Sequence, residues 1–103
     1  MKFVLFKGRH SHPEIDGLPA IFPDGVDVMD FARLFEIATA AVSKVAKVHG
    51  ERLDLYCTGL TPAVCAVVNA CIWCDVELTC WHYDKAADGY KPQPMQTTTV
   101  MFA

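Results

Sequence analysis

A chain of 103 residues with 52% hydrophobic content fits one globular domain spanning 1–103 and excludes a disordered polymer. Its net charge is −3, from 9 basic and 12 acidic residues with no basic tract, which excludes tight binding to long nucleic acid. No apolar run nears the roughly 18–20 residues of a membrane span, and the short run after Lys2 is no signal-peptide core, so a soluble, cytoplasmic protein without a membrane partner is expected.

Residues 2–7 form an apolar run rich in β-formers, a buried first strand that Gly8 ends. Residues 9–26 follow as a long connection with Asp16-Gly17 and Asp24-Gly25 turns, and loops of that length are often functional. Asp27 reads as a helix N-cap. The stripe Val28, Phe31, Phe35, Ala38, Val42, Val45 and Val48 recurs at helical spacing, and Gly50 supplies the stop after Lys47 and His49.

A second strand covers about Leu53 to Cys57. The turn Thr58-Gly59-Leu60-Thr61-Pro62 leads into a second helix, about Pro62 to Trp73. Proline suits the first helical turn, and a threonine before it can cap the free amides. That helix is apolar nearly all round, so burial on more than one side is expected, with Asn69 satisfying a neighbouring backbone group. The third strand, Val76 to Tyr83, puts Val76, Leu78, Cys80 and His82 on one face and Glu77, Thr79, Trp81 and Tyr83 on the other. A polar turn over 84–89 returns the chain antiparallel from Tyr90 to Gln96, where Pro92 and Pro94 restrict it to an edge. Residues 97–102 have strand propensity and could add an edge or pair with another subunit.

The five cysteines sit in apolar runs, which suits a reduced compartment and core packing. Cys71-Ile-Trp-Cys74 with Cys80 and His82 lacks the second close pair of a zinc site. A redox pair belongs at a helix start, whereas Cys71 and Cys74 come late in one. Neither a metal nor a cofactor is expected.

The order β-α-β-α-β with helical crossovers predicts a small Rossmann-like, three-layer α/β fold: a parallel core with a C-terminal antiparallel hairpin or edge strand. In such sheets ligands bind beyond the carboxyl ends of the strands. Three clusters then share one edge: Gly8-Arg9-His10-Ser11-His12, Thr58-Gly59-Leu60-Thr61, and His82-Tyr83-Asp84. Arg9 offers a planar, permanently charged fork for phosphate, or a surface salt bridge with Asp84. His10 and His12 could act as acid and base or donate to phosphate oxygens. Tyr83 could stack on a base, and His82 could pack against the second helix. The turn after the second strand lacks the lysine of a P-loop and the repeated glycines of a dinucleotide fingerprint, so no triphosphate cradle is expected. A small anionic ligand and metal-independent acid–base chemistry fit these residues.

The strand–Thr58-Gly59-Leu60-Thr61-Pro62–apolar helix pattern, with Gly8-Arg9-His10 after the first strand, resembles the Rossmann-like domains of CRISPR-associated systems that sense cyclic oligoadenylates. The resemblance covers residues 2–10 and 53–84, with Leu60 and Pro62 standing where the commonest pattern has glycine and a basic residue. Stand-alone members, the ring nucleases, cleave the cyclic messenger as homodimers. The resemblance implies that Thr58, Gly59 and Thr61 contact phosphate or ribose and that Arg9 neutralises phosphate charge. It further implies that His10 or His12 assists attack of a ribose 2′-hydroxyl on its own phosphate. A competing reading from another class is a non-enzymatic dimeric interaction or defence module whose apolar helix and tail form the interface. A homodimer follows from the apolar composition under either reading.

Overall fold

A computed structural model describes residues 1–48 and 52–98 of the protein. The elements are β1 (Lys2–Val4), α1 (Phe31–Val48), β2 (Arg52–Tyr56), α2 (Thr61–Cys74), β3 (Glu77–Asp84) and β4 (Gly89–Pro94). They build one sheet of order β1-β2-β3-β4, in which β1, β2 and β3 are parallel and β4 is antiparallel to β3. The α/β class, the parallel β-α-β-α-β core and the C-terminal hairpin thus match the expectation.

Sequential parallel strands joined by crossovers of one hand place both helices on the same face, and α1 and α2 pack against each other there. Between them and the sheet lies the main core, where Leu34, Ala38, Val42 and Val45 of α1 meet Leu53, Leu55, Leu78 and Cys80. Cys71 and Cys80 are buried in this core, and burial pushes the Cys71 thiol from its ordinary 9.0 up to about 12. The third layer is not helical. It is the long loop after β1, whose Ile15, Leu18 and Ala20 cover Val4, Tyr56, Trp81 and Tyr90 on the other face.

Helix α1 starts later than its first aspartate suggested. Asp30 accepts from the Arg33 N–H through Oδ1 at 3.1 Å and is the cap, whereas Asp27 accepts from the Met29 N–H at 2.9 Å in a preceding turn. The buried stripe shifts with it to Leu34, Ala38, Val42 and Val45, leaving Phe31 exposed. The expected stop at Gly50 lies outside the described residues, as does the tail after Thr98. Thr97 ties the tail's start to β3: its hydroxyl donates to Val76 O at 2.6 Å and accepts from Leu78 N–H at 3.1 Å.

Both edges of the sheet are closed. Beside β1, Pro19 O accepts from Val4 N–H, and Ile21 and Phe22 donate to Val4 O and Leu5 O. On β4, Met95 N–H points inward to Leu78 O, so the alternate positions 94, 92 and 90 face out. Two of those are prolines without an N–H, and the Tyr90 N–H reaches Glu14 Oε1 at 3.4 Å. Such an edge offers no donor row for a further strand.

Candidate functional site

The strand order never reverses, so the sheet has no switch point at which flanking connections diverge to open a crevice. The loop after β1 makes the crevice instead. Gly8, at φ 76, turns the chain off the strand in a left-handed conformation that favours glycine. The loop then doubles back: Ile15 and Asp16 N–H both donate to His12 O. Asp16 accepts from the His12 N–H at 3.1 Å and from the Ser11 hydroxyl at 3.4 Å, which fixes Ser11 and His12 in place.

Between this loop and the end of β2 lies a cleft of about 470 Å³. Its walls include Phe6, Lys7, Gly8, Arg9, His10, Ser11, Asp16 and Thr58. That volume suits a small-molecule ligand. The Arg9 side chain lies on Gly59, where a Cβ would stand 3.2 Å from Nε and 3.4 Å from Cδ. Only glycine permits that approach without displacing the guanidinium stem. Arg9 makes no ion pair among the described residues; Asp84, its alternative partner, binds Lys91 at 2.6 Å. That lysine holds the Asp84 carboxyl below its ordinary range.

Thr58 is the most telling member. It is buried, 3% exposed, and its hydroxyl finds no hydrogen-bond partner among the described residues. Leaving a buried hydroxyl unpaired costs about 1–3 kcal/mol, and the Thr39 hydroxyl in α1 is buried without a partner in the same way.

A smaller pocket of about 230 Å³ adjoins the cleft and shares His10 and Ser11 with it. Its other walls are His12, Cys57, Tyr83, Asp88 and Tyr90. His12 meets Tyr83 and Tyr90 edge to face at 5.8 and 5.6 Å. Its Nδ1 accepts from Glu14 N–H at 3.1 Å, so Nε2 carries the proton and donates to Asp88 O at 3.2 Å. Tyr83 donates its hydroxyl to Asp88 Oδ1 at 2.8 Å, and that bond, ahead of burial, raises the Tyr83 phenol above its ordinary value.

The sequence clusters therefore converge only in part. Gly8, Arg9, His10, Ser11 and Thr58 line one cleft, with Gly59 against Arg9; His12 and Tyr83 line the adjoining pocket. His82 lies on the opposite, helical face of β3 and pairs with Gln93 Oε1 at 2.7 Å. Leu60 is the N-cap residue of α2, with no side-chain cap bond, so Thr61 does not cap the helix as expected. Thr61 instead borders a groove on the helical side. Asn69 likewise departs from expectation: it is exposed and bonds to no backbone group among the described residues.

Lys7, Asp16, Asp88 and Tyr90 escaped the sequence reading. Tyr90 is the cross-strand partner of Tyr83, a signal available once the hairpin register is known. The path of the loop, which brings in Asp16, has no periodicity to betray it.

Compared with known proteins, the chain matches no family model, no curated protein and no solved structure. Among the described residues no helix is long and apolar enough to cross a membrane, and no group of three or more His, Cys, Asp or Glu side chains could hold a metal ion.

Proposed function

We propose that the protein binds a small phosphodiester at the carboxyl edge of its parallel strands, with a cyclic oligonucleotide as the foremost class. One observation carries this reading: Arg9, laid on Gly59, and Thr58, whose hydroxyl is buried and unpartnered, line a single cleft. A planar cation suits a phosphate oxygen pair, a local shift of the wall would bring the Thr58 hydroxyl to it, and Lys7 adds charge at the rim. The adjoining pocket of Tyr83, Tyr90 and His12 suits an aromatic ring carried by the same ligand.

The cleavage half of the proposal falls to His10, since both ring nitrogens of His12 are engaged in holding the loop. His10 takes the proton from a ribose 2′-hydroxyl; the oxygen attacks the adjacent phosphorus as the 5′-oxygen departs and takes up a proton. The products are a 2′,3′-cyclic phosphate and a free 5′-hydroxyl, with no metal in the step. Arg9 and Thr58 stabilise the charge that gathers on the phosphorane oxygens.

Calorimetry with cyclic oligoadenylates and cyclic dinucleotides, followed by chromatography of incubated samples with and without chelator, tests both halves. Binding that Arg9→Ala reduces by roughly tenfold or more is expected, as for loss of a charge-assisted contact. His10→Ala should keep binding and lose cleavage. No binding to any member of the panel would sink the reading; binding without turnover would leave a non-enzymatic ligand-binding module.

A further inference from the structure

Helix α2 was expected to be buried on more than one side, yet one face of it is open. Thr61–Cys74 contains no charged residue. Ile72 is 54% and Trp73 76% exposed, and Cys65 and Asn69 lie on the same outward stripe. A surface helix without a single charge is unusual, because polar and charged residues normally occupy the solvent face. Beside this stripe, between the first halves of α1 and α2, runs a groove of about 390 Å³ lined by Phe31, Phe35, Pro62, Cys65, Ala66 and Asn69.

We propose that this face docks a second copy of the chain, with the two α2 helices antiparallel about a twofold axis at Asn69. Three observations select a second copy over another occupant. First, the face carries both a knob and a hole, and they are spaced symmetrically. Trp73 lies four residues after Asn69, and Cys65, in the groove wall, lies four before it. An antiparallel pairing therefore sets Trp73 of each protomer against the groove of the other. A twofold rotation keeps both grooves on the side to which Trp73 leans, as an isologous contact requires. Second, an uncharged stripe meets its own copy without like-charge repulsion, and Asn69 meets the partner's Asn69 on the axis, where paired amides fix register. Third, among the described residues both sheet edges carry covering contacts, which disfavours self-association by strand addition.

The exposed aromatic and aliphatic surface supplies part of the area that a stable dimer needs. At roughly 150–250 Å² per aromatic side chain, the exposed parts of Trp73, Phe31 and Ile72 supply about 400 Å² per protomer. That is half of the ~800 Å² per partner of a standard interface before Cys65, Asn69 and Pro62 are counted.

This proposal does not depend on the ligand reading. Sedimentation equilibrium of the whole chain should show a dimer, and Trp73→Glu should weaken it by roughly 30-fold or more, as for an interface anchor. Circular dichroism of the variant checks that it folds. Independently of that variant, Asn69→Cys in a Cys65→Ser background should give a disulfide-linked dimer under mild oxidation, whereas Asp24→Cys in the same background should not. A monomeric wild type overturns the proposal. So does a dimer that fails to cross-link through position 69, because its interface then lies on another face.

Discussion

Thr58 concentrates the tension between folding and function at a single atom. Its hydroxyl is buried without a partner, so it contributes nothing to stability and incurs a desolvation cost. Thr58→Val, which keeps the shape and removes the hydroxyl, should leave the melting temperature unchanged or raise it by a few degrees, while ligand affinity falls. A drop in stability of about 2 kcal/mol by urea titration would instead give the hydroxyl a structural role. The residue was readable as a site candidate from its place after a strand and before a helix. Its burial and lack of a partner were not readable, because they follow from how the loop after β1 closes over it. The same holds for His12. Its type suggested acid–base work, but the contacts of Nδ1 and Nε2 with Glu14 and Asp88, distant from each other in sequence, make it a tie.

Among the elements, the start of α2 is the one whose local chemistry is incomplete. Leu60 occupies the cap position, at φ −73 and ψ 133, without offering an acceptor to the free amides, and no acidic residue lies in the first turn. Leu60→Ser and Leu60→Asp should each stabilise the free protein by about 0.5–1 kcal/mol, measured by chemical denaturation. They should part company on ligand: the aspartate adds a negative charge close to the Thr58–Gly59 wall and should weaken phosphodiester binding, while the serine should not. Equal effects on binding would show that charge at this turn is irrelevant to the cleft. The elements themselves were legible because period-two and period-3.6 patterns survive in the chain. The expected strands and helices fall within a few residues of those observed, and the face assignment of β3 holds. Helix α1 was misplaced at its start because Asp27 and Asp30 both satisfy the cap rule. Only packing of Leu34 against the sheet distinguishes them.

The whole molecule has its own pH signature. The Cys71 thiol, raised from 9.0 to about 12 by burial, stays protonated in the fold over a range where the unfolded chain releases its proton. The unfolded state then binds fewer protons, so stability is intact below about pH 9 and declines between there and pH 12, by about 1.4 kcal/mol per pH unit for one such thiol. Tyr56 and Tyr90, also raised by burial first, act in the same direction at the upper end. Urea midpoints measured from pH 7 to 11 should fall above pH 9. Cys71→Ala should flatten the first part of the decline, whereas an unchanged slope would remove the thiol as its cause. At this scale the α/β topology was legible from element order alone. The placement of both helices on one face follows from sequential strand pairing, and pairing order is not written in any local pattern.

The loop from Gly8 to Phe22 closes one sheet edge, covers the face opposite the helices and walls the cleft. Sequence change there is therefore never purely functional. Removing the loop would strip Ile15, Leu18 and Ala20 from Val4, Tyr56, Trp81 and Tyr90, whatever the cleft holds. Arg9 and His10 are exposed and belong to neither core cluster, so substitutions there should leave the melting temperature within a few degrees of the parent protein.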